Sequence, residues 1–139
     1  QEKFMRTLQE TTDLHPQSLR DLCRTCGSVF LSTNSEQAIL SASNSEALAF
    51  ISSVGADADN LCELDHSLIK GRTVLSESRH NIDFGDLHKW NQQGLITEGD
   101  VMELREVIGL NQRKDPILFI STGAATQDAL ICHFIREKC

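Results

Sequence analysis

Asp57 closes the segment Val54-Gly55-Ala56-Asp57, where an apolar run breaks into a small, glycine-bearing turn. A carboxylate just past such a run can take up and return a proton beside a bound substrate. Its plainer role is that of a turn aspartate, tolerant of unusual backbone angles and able to cap the next turn. A second break ends the run Ile117-Leu118-Phe119-Ile120 at Ser121-Thr122-Gly123, just before a helical stretch. Main-chain N–H groups there could receive an anion or a polar cofactor group. The same residues could equally serve only as a helix cap.

Other clusters read more plainly. His80, Asp83, Asp86 and His88 are close enough in sequence to be weighed as metal ligands. On a helix Asp83 and Asp86 share a face at i, i+3, but His88 falls off it, so a solvated face is expected and no metal. Cys23 and Cys26 have the spacing of a zinc or redox pair. A zinc site wants a second pair, which the chain lacks, and a redox pair belongs at a helix start, whereas this one ends a helix. Both are expected to be ordinary buried thiols. His15, His66 and His133 are isolated.

The elements that must hold these residues alternate between strands and helical segments. Apolar runs at 28–33, 49–54, 73–77 and 117–120 predict four strands, the first two buried. Helices are expected over 2–10, 17–25 (with Pro16 in its first turn), 82–92 around Leu87 and Trp90, through Val101, Leu104 and Ile108, and from 125 to 138. Residues 11–15 hold at most one short strand, 41–46 a turn or helix start, and 65–70 a helical turn stopped by Gly71. Such alternation points to βαβ units and an α/β fold: a partial Rossmann-like parallel sheet of about four strands flanked by helices. In such sheets, breaks like 54–57 and 121–123 fall at the carboxyl ends of strands, where ligands bind.

Bulk properties narrow the function classes. The 139 residues suit one domain, and a hydrophobic content of 40% suffices for a buried core. The net charge of −7 and the scattering of 13 basic residues argue against a nucleic-acid surface. No run approaches the roughly 20 apolar residues of a membrane span, and the first residues lack the apolar core of a signal peptide. Five cysteines without framework spacing favour a reducing cytoplasm.

Several short motifs, in order along the chain, resemble the ornithine cyclodeaminase/μ-crystallin family. They are Val54-Gly55-Ala56-Asp57, Glu63-Leu64-Asp65, Gly85-Asp86, Glu106-Val107-Ile108, Ser121-Thr122-Gly123 and Gln127-Asp128. The resemblance implies an NAD(P)-dependent relative of cyclodeaminases, amino-acid dehydrogenases and imine reductases. It implies cofactor contacts at Thr33, Val54, Gly55, Ala56, Asp57 and Ser121, a substrate-side position at Thr122, and a proton donor and acceptor at Asp57. Two departures stand against full function. The family's cofactor-contacting lysine four residues after the aspartate is Leu61 here, and none of the eight glycines forms a Gly-x-Gly. The Gly-rich turn, the ribose-binding acid and the substrate-binding arginines and lysine precede Gln1 in the family pattern. The chain is therefore expected to be a truncated relative, the later part of an NAD(P)-binding domain, binding NAD or NADP at best loosely and lacking catalysis alone. Two alternatives stand beside this: one part of a split enzyme completed by a complementary chain, and a self-associating module. A homodimer is expected through the open edge of the 28–33 strand, unless residues 1–15 fold back over it.

Overall fold

Ser18 sets where the first described helix starts. Its hydroxyl oxygen accepts the Asp21 N–H at 3.2 Å and the hydroxyl donates to the Asp21 carboxylate at 2.6 Å, so the helix α1 spans Leu19–Thr25 and not the expected 17–25. The computed structural model describes residues 17–58, 60–108 and 115–138. The expectations for 2–10, 11–15 and Pro16 lie outside the described residues.

Five short strands follow: β1 (Ser28–Leu31), β2 (Phe50–Ser53), β3 (Thr73–Ser76), β4 (Met102–Glu103) and β5 (Ile117–Ile120). They form one sheet in the order β1-β2-β5-β3-β4, with every neighbouring pair parallel. The last strand in sequence thus enters at the centre, between β2 and β3. Its Leu118 and Ile120 are almost fully enclosed, in a core shared with Ile51, Val74, Leu68, Leu87, Trp90 and Val101. Parallel strands need crossovers, and covering both faces is what such a sheet demands.

The structure corrects three expectations. The 28–33 strand is not wholly buried. Val29 and Leu31 point into the core, but Phe30 is 74% exposed and packs its ring on Phe50 with centroids 5.7 Å apart. Among the described residues β1 is the edge strand, paired with β2 alone, and the face that carries Phe30 is not covered. The helix expected through Val101, Leu104 and Ile108 is instead β4 followed by a single turn, α3 (Leu104–Val107). Arg79 overrides the helical spacing. Its main-chain N–H reaches Glu103 at 3.1 Å, its Nε the Val101 carbonyl at 3.0 Å, and its Nη2 both oxygens of Glu106 at 2.8 Å. Val101 is buried by this arrangement while Ile108 stays 77% exposed. The 82–92 helix is divided into a 3-10 turn, Arg79–Asp83, and an α-helix, α2 (Gly85–Gln92).

The expected last helix forms as α4 (Ala125–Lys138), but Leu130, Ile131 and Ile135 on it are each more than half exposed. Among the described residues no helix is long and apolar enough to cross a membrane.

The break between the two parts of 79–92 rests on Gly85, whose φ is +55°. A Cβ there would lie 1.9 Å from the Ala56 carbonyl oxygen. Gly71 has φ +77° with nothing within 4 Å. Gly71→Ala is therefore expected to cost about 1 kcal/mol from backbone strain alone. Gly85→Ala adds a backbone collision and should cost about 3 kcal/mol or more. Urea unfolding of the two variants checks the difference, and equal losses would contradict the close approach.

Candidate functional site

The order β1-β2-β5 brings three strand ends side by side. The ladder continues past the strands, with Val54 N–H donating to the Leu31 carbonyl at 3.0 Å and Ser121 N–H to the Ser53 carbonyl at 2.9 Å. The stretches around Thr33, 54–57 and 121–123 thus form one rim at the carboxyl edge of the sheet. All seven residues singled out in the sequence lie on it. Asp57 and Val54 are exposed, Gly55 and Thr122 half-buried, and Ala56 and Ser121 buried.

One buried side chain organises this rim. The Glu63 carboxylate, with no exposed surface, lies under the ends of β1 and β2. Its Oε1 accepts the Thr33 N–H at 2.5 Å and the Thr33 hydroxyl at 2.8 Å. Its Oε2 accepts the Ser53 hydroxyl at 2.6 Å and the Gly55 N–H at 2.9 Å. Glycine is required at 55 because a Cβ would stand 2.1 Å from the Thr33 carbonyl oxygen and 2.5 Å from Glu63 Oε1. At Thr33, expected to be a cofactor contact, both the hydroxyl and the N–H are thus held by Glu63. At β5, the Ser121 hydroxyl donates to Glu77 in a short contact and accepts the Gly123 N–H at 3.2 Å. Asn81 and Ser76 complete this corner: Asn81 Nδ2 reaches Glu77 Oε2 at 3.0 Å and Ser76 Oγ at 2.8 Å, and the Ser76 hydroxyl donates to the Ile120 carbonyl at 2.7 Å.

A second acid lies beneath Glu63. Asp86 is fully buried; its Oδ2 accepts the Glu63 N–H at 3.2 Å, and its Oδ1 has no hydrogen-bond partner. Its expected solvated face is corrected: His80 and Asp83 are exposed, but α2 turns Asp86 inward beneath Glu63. Burial pushes its pKa up, opposed by Cys62, the main chain at Glu63 and Lys89. Burial, together with this carboxylate, raises the neighbouring Cys62 thiol to about 11. The thiol donates instead to the Leu64 carbonyl at 3.6 Å, and Lys89 Nζ donates to the Leu61 carbonyl at 2.7 Å. Among the described residues no three His, Cys, Asp or Glu side chains gather as a metal site. Of the Cys23/Cys26 pair only Cys23 is buried; Cys26 caps the end of α1 and is exposed, against expectation.

Sequence reasoning missed Glu63, Glu77 and Asp86 as organisers. The available signal was Glu63 standing among Leu61, Cys62 and Leu64, where a solvated acid is out of place. A groove of about 270 Å³ between α1 and the 3-10 turn Ala42–Asn44, lined in part by Arg20, Arg24 and Glu46, shares no residue with the rim. The rim offers main-chain groups, a hydroxyl at Thr122, an exposed apolar side chain at Val54 and a carboxylate at Asp57.

Because burial raises Asp86 above its ordinary 3.8, the folded chain holds this proton to higher pH than the unfolded chain. The folded state then binds more protons, so this residue's contribution to stability falls as pH rises from the unfolded value through the raised one. Urea unfolding from about pH 4 to 8 should show the wild type losing stability relative to Asp86→Asn as pH rises. A difference that is flat or grows would contradict the burial of an acid there.

The fold has solved counterparts. A Thermococcus litoralis Δ1-pyrroline-2-carboxylate reductase in complex with NADH and L-proline matches with TM-score 0.77 and 22% identity, over 99% of this chain and 46% of that one. An archaeal alanine dehydrogenase dimer with bound NAD matches at TM-score 0.76 and 23% identity, over 98% and 45%. The iminosuccinate reductase of Paracoccus denitrificans in complex with NAD+ matches at TM-score 0.78 and 20% identity, over 98% and 44%. The chain spans under half the length of these structures. No curated protein matches it. The ornithine cyclodeaminase/mu-crystallin family model matches residues 1–139, and the chain belongs to that family.

Proposed function

We propose that these 139 residues form one domain, the later part of an NAD(P)-binding domain, and supply the nicotinamide side of its dinucleotide site. The observation that carries this is the rim itself: three adjacent strand ends bearing Thr33, 54–57, Ser121 and Thr122. Bound NAD or NADP in such a site would accept or deliver a hydride. Val54 would pack against it and exclude water, the stretches at Thr33, Gly55, Ala56 and Ser121 would shape the floor beneath it, with their N–H groups at Thr33, Gly55 and Ser121 already held by Glu63 and Ser53, and Asp57 would take or return the proton at its carboxylate. Thr122 would stand on the substrate side.

The same residues carry no Gly-x-Gly and no arginine on the rim, so by themselves they grip neither a pyrophosphate nor an amino acid. Catalysis then depends on residues from elsewhere, in the same polypeptide or in a complementary chain. Free thiols at Cys23, Cys26, Cys62 and Cys132 suit work in a reducing cytoplasm.

The test uses the purified 139-residue chain and two probes. Reduced nicotinamide mononucleotide, which lacks the adenylate half, should shift the amide NMR signals of Gly55, Asp57, Ser121 and Gly123 at millimolar concentration. NADH and NADPH should bind no more tightly than this fragment. A low-micromolar dissociation constant for either dinucleotide, or turnover of ornithine, alanine or a cyclic imine that vanishes in Asp57→Asn, would overturn the proposal.

A second reading, self-association, is favoured by β1. Among the described residues it pairs on one side only, and its Phe30 is 74% exposed. An open apolar edge without lysine or proline invites pairing. Light scattering should give a mass twice 15.5 kDa at high concentration. Phe30→Lys should return it to the monomer by charging the edge. A wild-type mass that stays at the monomer value removes this reading.

A further inference from the structure

We propose that Glu63 is a positioning residue for the rim: its carboxylate sets the spacing and direction of the β1 and β2 ends, and through them the turn that carries Asp57. The inference rests on the reading of the rim as a nicotinamide-side site.

The division of the carboxylate carries the argument. Oε1 holds only Thr33, through N–H and hydroxyl, and Oε2 holds only the β2 end, through the Ser53 hydroxyl and the Gly55 N–H. One rigid, planar group therefore bridges two strand ends beyond the point where the strands are assigned. Parallel strands splay where their ladder stops, and nothing in the ladder itself dictates how far. Gly55 lets the two backbones close onto this bridge, since any Cβ there would strike both Thr33 and Glu63. The turn is held from the other side too, because Gly85 lies directly against the Ala56 carbonyl. Asp86, the next residue, accepts the Glu63 N–H and is fully buried, with its second oxygen unpartnered. Position 57 thus follows a turn pinned on one face by Glu63 and on the other by the start of α2. Asp57 itself stays exposed.

Glu63→Gln is an informative probe. An amide presents N–H groups on one side, and hydroxyls can rotate to accept from them, but main-chain N–H groups cannot. Whichever way the glutamine lies, either Thr33 N–H or Gly55 N–H loses its acceptor. In the wild type both amide protons should lie far downfield, as donors to a carboxylate do. In Glu63→Gln at least one should move upfield, and reduced nicotinamide mononucleotide should bind about tenfold more weakly or worse. Ile96→Ala, which opens the core away from the rim, lowers stability and should leave the fragment's affinity within about twofold.

Should Glu63→Gln fail to fold, Ser53→Ala serves instead. It removes a partner of Oε2 only, so the Gly55 amide should shift while the Thr33 amide stays, a pattern that general loosening does not produce. Unmoved Thr33 and Gly55 amides in Glu63→Gln, or undiminished fragment binding, would overturn the inference while leaving the rim reading in place. In Ser53→Ala an unmoved Gly55 amide would do the same. A wild-type chain that gives no response to the fragment removes the rim reading and this inference with it, whatever the ligand-free amide signals do.

Discussion

A buried carboxylate that accepts four hydrogen bonds joins the carboxyl ends of β1 and β2. Taking an acid such as Glu63 out of water is costly unless donors replace the lost solvent, and here four do, two of them main-chain N–H groups. Hydrogen bonds to a charged group contribute about 1.5–3 kcal/mol each, more than neutral ones. The dependence is mutual. Without the glutamate, the Thr33 and Gly55 amides would be left in a half-buried place without an acceptor, and without Gly55 the carboxylate could not reach both strands.

The position of β5 is what gives this edge breadth. Because the last strand in sequence enters the middle of the sheet, 121–123 comes to lie beside 54–57 and not at a margin. Of the two flanking acids, Glu63 under β1 and β2 meets hydroxyls and main-chain N–H groups, and Glu77 under β5 meets hydroxyls and the Asn81 amide; among the described residues neither pairs with an arginine or lysine. Positive charge is used elsewhere. Arg79 ties β4 and α3 to the turn before α2, and Arg72 caps the carbonyls of Ser45 and Leu48 at 2.8 and 2.9 Å. The polar groups that organise the rim are therefore acceptors and neutral donors.

The chain belongs to the ornithine cyclodeaminase/mu-crystallin family, and it spans under half the length of its solved counterparts. Within that span the rim is organised to a fine degree, and beside it β1 pairs on one side only among the described residues. Order at the strand ends comes from inside the 139 residues, through Glu63, Gly85 and Asp86.

Four of the five described strands, the two turn motifs and the family were legible along the chain, because they depend on local patterns: apolar runs that stop at Gly55 and Gly123, and short motifs in a set order. The helix at 101–108 was misread because its apolar spacing is local, whereas Arg79, more than 20 residues away, supplies the contacts that turn it into β4 and one helical turn. Phe30 was misread as buried because a strand's sequence does not say whether it is central or at an edge; only the strand order decides that. Asp86 reads along the chain as a surface acid, and its buried place beneath Glu63 comes from tertiary packing. The sequence by itself determined the fold class and the turns that end its strands, since backbone preference and hydrophobic pattern act over a few residues. The tertiary structure alone decided which acids are buried, which strand ends meet and which side of the sheet stays open, since those depend on long-range packing and on where each polar group finds its partner.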